Sequence, residues 1–195
     1  MVAMMNPKHK YTALENLYRR YESEARPFKV DALCKSGCAF CCTDMGNVDV
    51  TTLEALIIHE HLQTLSKPDR RHLAHQIKVN RNRKMQGRKA PCPFLDTHHT
   101  CRIYPIRPFS CRQLYSLKPC EKNGAVIHRK AHALAQKTIT ALKHLDDTGY
   151  NGHLTFVLQL LDDRCFKTTY LSGGFDPAAI AAFGKAHGIG INRQV

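Results

Sequence analysis

Cys34-Lys35-Ser36-Gly37-Cys38-Ala39-Phe40-Cys41-Cys42 places four thiols within a single short run. Three of them, Cys34, Cys38 and Cys41, converge on one point only if the backbone wraps around that point. Both a zinc ion and an iron–sulfur cubane demand such wrapping. The fourth ligand of such a site usually comes from elsewhere in the chain. Cys41 and Cys42 are adjacent, so their side chains are expected to diverge and not to serve one ion equally. Clustered cysteines without a secretion signal point to metal or redox chemistry rather than to a disulfide framework, and the odd total of nine agrees.

Downstream, Gln86 to Lys122 supplies four more thiols, Cys92, Cys101, Cys111 and Cys120, among Pro91, Pro93, Pro105, Pro108 and Pro119. So many prolines exclude long helices. A long irregular segment in a compact domain needs something other than a hydrogen-bond ladder to pin it, and metal ligation supplies that pin. Either side, the pattern is helical. Leu14, Leu17, Tyr18 and Tyr21 give helical spacing over Lys8 to Ala25, ended at Arg26-Pro27. Thr51 or Thr52 caps a helix carrying Leu53, Leu56, Ile57, His61 and Leu65, and Ser66 caps the next, with Pro68 in its first turn. Val48 to Val50 is too short to assign. Ala125 to Leu145 reads as a long helix and His153 to Leu161 as a short apolar one. Ser172-Gly173-Gly174 is a turn, and Asp176-Pro177 opens a last helix that ends at Gly188 and Gly190. The expectation is a mainly α protein, a single helical domain over 1–195 with irregular metal-pinned cysteine-rich loops. Within it, 30–120 is the cysteine-cluster metal-binding region and 121–195 a helical C-terminal part.

The 195 residues carry 29 Lys+Arg against 16 Asp+Glu, a formal charge of +13. Metal-bound thiolates would reduce this by a few charges and leave the protein basic. A basic surface suits an acidic partner or nucleic acid, or is simply solvated. The densest stretch, Arg70 to Lys89, has no aromatic residue to stack a base, which favours the solvated reading. No apolar run of about 18 residues is present, so no membrane span is expected. The N-terminus lacks the apolar core and small-residue cleavage site of a signal peptide, which makes the cytoplasm the default compartment.

Cys92-Pro93-Phe94-Leu95 and Cys101-Arg102-Ile103-Tyr104-Pro105-Ile106-Arg107-Pro108-Phe109-Ser110-Cys111-Arg112 complete a combination that resembles the YkgJ-type cysteine-cluster proteins, a family described as zinc- or iron-chelating. That family shows C-x-x-x-C-x-x-C-C, then C-P-F-L, then C-x-I-Y-x-x-R-P-x-x-C-R. Asp49-Val50-Thr51 followed by Glu54 is similar to the family's segment after the first block. The resemblance covers about residues 30 to 120. It implies metal chelation by those cysteines, and leaves the metal open. Its longer relatives, the flagellin lysine-N-methylases, make a protein lysine methylase the enzymatic alternative.

Taken together, Cys34, Cys38, Cys41, Cys42, Cys92, Cys101, Cys111 and Cys120 are the candidate metal ligands. The expected cofactor is an iron–sulfur cluster or zinc, with a narrow lean to iron–sulfur because paired C-x-x-C zinc knuckles are absent. A zinc-stabilised interaction or nucleic-acid-binding module is the other reading. C-x-x-x-C-x-x-C is also the radical S-adenosylmethionine spacing, but the strand–helix alternation of that barrel is missing. No Ser-His-Asp set, Walker loop or dinucleotide turn is present. Arg107 and Arg112 either donate to sulfur or pair with surface acids. Phe94, Leu95, Ile103 and Phe109 read as core. His98 and His99 precede Cys101 but are outnumbered by thiols as ligands, while His59, His61, His72 and His75 read as exposed or packed. Cys165, alone in a polar run, reads as a packed or incidental thiol.

A structural metal supplies about 10 kcal/mol or more of apparent folding free energy. Chelation is therefore expected to open residues 86–122 to protease while the helices at 8–25 and 125–145 stay protected. Equal resistance of the metal-free and native forms, read by mass spectrometry of the fragments, contradicts a metal pin.

Overall fold

The computed structural model describes residues 7–188 apart from Ser36 and Gly46. Among these residues the fold is mainly α. Nine α-helices follow in order: α1 (Pro7–Ala25), α2 (Thr52–Thr64), α3 (Lys67–Met85), α4 (Phe109–Arg112), α5 (Cys120–Asn123), α6 (Arg129–Leu145), α7 (Leu154–Asp162), α8 (Arg164–Leu171) and α9 (Pro177–His187). Two three-residue strands, β1 (Asp49–Thr51) and β2 (Asn151–His153), pair antiparallel, with Asp49 opposite His153 and Thr51 opposite Asn151. No helix among the described residues is long and apolar enough to cross a membrane.

Helix α2 is the centre. Thr51 and Glu54 form a capping box: the Thr51 side chain accepts from the Glu54 backbone and the Glu54 side chain accepts from the Thr51 backbone. This satisfies two of the donors that every helix start leaves unpaired. Beyond the cap, Leu53, Ala55, Leu56, Ile58 and Leu62 are buried around the helix, not on one stripe. A helix apolar on all sides belongs inside. Leu53 joins a core built from α1, α4 and α6 (Leu14, Tyr21, Phe109, Ala135, Leu142). Leu56, Ile58 and Leu62 join a second core with α3 and α7 (Leu73, Ile77, Val157, Leu161).

The β1–β2 ribbon locks α2 to α7, because each strand runs directly into one of these helices. Thr52, fully buried, donates from its hydroxyl and its backbone to the Tyr150 carbonyl and accepts from the Tyr150 backbone. The Val48–Val50 stretch that the sequence leaves unassigned thus becomes a strand through a partner a hundred residues away. His153 is the last strand residue and also the cap of α7, its side chain accepting from the Thr155 backbone. Two expectations change. The helix expected from Ala125 begins at Arg129, because Leu117 donates to the Val126 carbonyl and Val126 donates to the Ser116 hydroxyl, which holds the preceding residues extended. The polar run around Cys165 is a helix, α8, started by the Asp163 side chain accepting from the Phe166 backbone and seated by buried Phe166 and Tyr170. The Ser66 and Asp176 caps are as expected, and Gly188 closes α9 in the left-handed region. Gly190 lies outside the described residues.

Asp146, at the end of α6, is buried and takes two hydrogen bonds, from the Leu53 backbone at 2.9 Å and from the Tyr170 hydroxyl at 2.7 Å. A Cβ on Gly149 would collide with this carboxyl group, so only glycine fits there. Desolvation raises the Asp146 carboxyl to about 6 against its two hydrogen bonds, from an ordinary value of 3.8. The native state therefore holds a proton that the unfolded chain has released. This contribution to stability is complete below about pH 4 and is lost as pH rises through about 6. Asp146→Asn removes the titration. Its stability relative to the wild type, measured by urea unfolding, is expected to improve by about 2–3 kcal/mol from pH 4 to pH 7. A difference that does not change with pH contradicts this assignment.

Candidate metal centre

All nine cysteines are free thiols. The first run turns at Gly37, which has φ +85°, a left-handed conformation that favours glycine, and the Cys38 backbone donates to the Lys35 carbonyl at 3.0 Å. Cys41 and Cys42 then open a π-helical turn, Cys41–Met45. Their Sγ atoms lie 3.9 Å apart. The expected divergence of these neighbours is thus not what the fold does. With metal–sulfur bonds of about 2.3 Å, two ligands of one tetrahedral ion stand about 3.8 Å apart, so this pair has the spacing of an edge of such a site.

The proline-rich segment packs against this first run. The Cys92 backbone donates to the Cys42 carbonyl at 2.6 Å, seating the second block on the first. Leu95 and Cys101 form an antiparallel bridge that closes a tight turn, inside which the Asp96 carboxyl accepts from the His98 and Thr100 backbones and the Thr100 hydroxyl. Cys111 sits on α4, whose Ser110 hydroxyl donates to the Asp49 carbonyl and whose Phe109 backbone donates to Glu54 at 2.7 Å. Leu33 donates to the Ser116 carbonyl at 2.8 Å, which brings the start of the first run toward the segment that ends in Cys120.

The electrostatics follow this convergence. Burial pushes the Cys111 thiol up, and Cys42, Cys101 and Cys41 push it further. Burial raises Cys101 as well, with Cys41 adding to it, while the Ile103 backbone and Arg107 oppose the rise. For Cys42 the contact with Cys41 lowers the value, but a hydrogen bond with Cys92, burial, and the nearby Cys92 and Cys101 outweigh it and leave the thiol at about 12. Its contact with Cys42 and its burial push Cys41 up. At the outer end, Cys34 is exposed by surface area yet its thiol is still raised by partial desolvation, and by Cys38, Cys120 and Cys41, against a hydrogen bond from the Ser116 backbone. Cys34, Cys41, Cys42, Cys101 and Cys111 resist ionising because they are desolvated and have thiols for neighbours, and a bound cation reverses that sign. Eight of the nine cysteines belong to this linked set. Cys165 stands apart, exposed on α8.

Among the described residues no three His, Cys, Asp or Glu donors stand together at metal-binding distance. What the fold provides is a donor set of the right chemistry, unpaired in disulfides, gathered by irregular loops, with one pair already at ligand spacing.

The surrounding residues separate into distinct tasks. Arg112 is a clamp: Nε donates to the Arg107 carbonyl, Nη2 to the Pro105 carbonyl and Nη1 to Glu22 at 2.7 Å, and its guanidinium lies 4.4 Å over the Tyr18 ring. Arg107 lies 3.8 Å over the Tyr104 ring and is the cation whose field favours ionised Cys101 and Cys111. Phe94, Ile103 and Phe109 are core, and Cys92, Cys101 and Cys111 pack against the α2–α3–α7 core. His98 and His99 are exposed on the turn, as are His72 and His75 on α3. His59 is buried, with Nε2 3.2 Å from Asp162. The sequence reading left Tyr18, Lys29 and Ser116 without a role. Lys29 lies over the Tyr21 and Tyr115 rings and donates to the Arg112 carbonyl at 3.3 Å. Ser116 is buried and its hydroxyl accepts from the Val126 backbone. Their partners lie in distant segments, so no local pattern marks them.

Against known families, residues 33–145 match the CxxCxxCC family, described as "Putative zinc- or iron-chelating domain". The chain belongs to this family. The match extends past the thiols and includes α6. No curated protein and no solved structure matches the chain.

Accessibility orders the thiols. In metal-free but folded protein, iodoacetamide near neutral pH is expected to label exposed Cys38 and Cys165 first and Cys41, Cys42 and Cys111 last, because burial and neighbouring thiols keep the latter three protonated. Peptide mapping over time checks this; labelling of Cys111 as fast as Cys165 contradicts the geometry.

Proposed function

We propose that the protein is a thiolate metal-binding protein in which Cys34, Cys38, Cys41, Cys42, Cys92, Cys101, Cys111 and Cys120 hold iron, as an iron–sulfur cluster, or zinc. The observation that supports this is the Cys41–Cys42 pair, with Sγ atoms 3.9 Å apart and Cys92 seated on it by a backbone hydrogen bond, in a region whose other clustered thiols lie near enough to act on one another's charge. Residues 30–120 act as the metal-binding region of one domain and 121–195 as its helical support.

The run Cys34, Cys38 and Cys41, with a fourth ligand drawn from a distant part of the chain, suits a cubane, and this is the basis of the iron–sulfur reading. Arg107, placed to stabilise negative charge on Cys101 and Cys111, is the protein's lever on that charge. Bound iron–sulfur would supply one-electron transfer, while zinc would supply folding energy without redox chemistry. Zinc is the second reading, since two tetrathiolate sites would use all eight thiols.

Purification without oxygen, followed by metal and sulfide analysis and visible absorption, separates the two. Iron with equivalent sulfide and a brown colour bleached by dithionite is the expected result. Two zinc ions per chain without iron or sulfide replaces it with the zinc reading. Cys38→Ser should lower metal content and Cys165→Ser should not; unchanged metal in Cys38→Ser protein overturns the assignment of the first run.

A further inference from the structure

Against α4, the helix that carries Cys111, a cavity of about 590 Å³ opens between α6, the β1–β2 ribbon and the end of α3. Its size falls within the roughly 300–1,000 Å³ of small-molecule sites. The metal-binding reading makes no use of it. Its floor is apolar, from Val50, Leu142 and Phe156, and its walls are polar.

We propose that this cavity binds a small organic anion, held by the ammonium groups of Lys84 and Lys143 over an apolar floor. The charge inventory argues for the sign. Lys84 reaches in from α3 and Lys143 from α6. Lys84 donates to the neutral Asn47 amide at 2.6 Å, and neither lysine is ion-paired among the described residues. Two acids line the same space. Glu54 is buried and its carboxyl group is already engaged by Tyr18, Thr51 and Phe109. Asp49 is exposed at the mouth. Two cations therefore face one exposed carboxylate, Asp49, whose charge acts on Lys84, and the Gln113 amide adds polar recognition from the end of α4. The protein's +13 charge raises the local concentration of anions around such a mouth.

The floor distinguishes an organic anion from a bare inorganic one, since Leu142 and Phe156 gain nothing from phosphate alone. Carboxylate and phosphate ester share the chemistry that two lysines recognise. The occupant also touches α4, the four-residue helix that carries Cys111, so cavity and thiol cluster share a wall.

The test is isothermal titration of the full-length protein, as purified, with succinate, adenosine monophosphate, adenosine and inorganic phosphate. At least one organic anion is expected to bind with Kd below about 1 mM. Lys84→Gln and Lys143→Gln should each weaken it about tenfold, the loss of one charge-assisted contact of about 1.4 kcal/mol. Lys137→Gln, on α6 but outside the cavity, should leave it unchanged. Succinate binding more tightly than the nucleotide assigns a carboxylate; the reverse, with adenosine weaker, assigns a phosphate ester. Three results overturn the proposal: neither organic anion binding at millimolar concentration, inorganic phosphate binding as tightly as they do, or the doubly substituted protein binding like the wild type. Metal content plays no part in this readout, so its failure and that of the metal-binding reading are separable.

Discussion

The buried carboxyl group of Glu54 is the junction on which the remaining structure hangs. Its two oxygens accept from the Tyr18 hydroxyl at 2.6 Å, the Phe109 backbone at 2.7 Å and the Thr51 backbone at 2.8 Å. One side chain thus ties α1, the cysteine-bearing α4 and its own helix start together. A net hydrogen bond is worth about 0.5–1.5 kcal/mol, but a buried donor left unpaired costs about 1–3. The larger effect is therefore the penalty for any arrangement that separates these three segments. Tyr18 shows the same enclosure: burial, then Glu54, pushes its hydroxyl far above the usual range, and so it remains a donor.

From this junction the cysteine loops acquire their placement without needing regular structure. Phe109 packs edge-on against Tyr21 with ring centroids 4.8 Å apart and anchors α4 in the core. Arg112 then ties the Pro105 and Arg107 carbonyls to Glu22. Together they hold Cys111 and Cys101 on one side and leave Cys34 and Cys38 at the surface. The thiols are thus graded in exposure from the half-buried Cys101 and Cys111 to the exposed Cys34 and Cys38.

Asp146 plays the corresponding part on the same first turn of α2, where it holds the Leu53 backbone and Tyr170. Glu54 and Asp146 belong to a fold with an excess of positive charge, and both are spent inside it. That leaves the surface more basic than the composition implies, and it leaves Lys84 and Lys143 facing a cavity with only Asp49 to oppose them.

Local chemistry alone determined a good deal here. The wrapping of Cys34 to Cys42 around Gly37, the caps at Thr51, Ser66 and Asp176, and the absence of long helices from the proline-rich segment all follow from side chains acting on their own backbone. The set of candidate ligands was legible for the same reason, since eight clustered cysteines are a matter of spacing. Tertiary structure decided whatever depends on a partner distant in the chain. The β1–β2 ribbon exists because Val50 meets Gly152, and α6 starts late because Ser116 and Leu117 hold the residues before it. Cys41 and Cys42 point together rather than apart because the π-helical turn sits against Cys92. A three-residue strand has too little periodicity to reveal itself, and a cavity has none, because its walls are drawn from α3, α4, α6 and a ribbon that only the folded chain brings together.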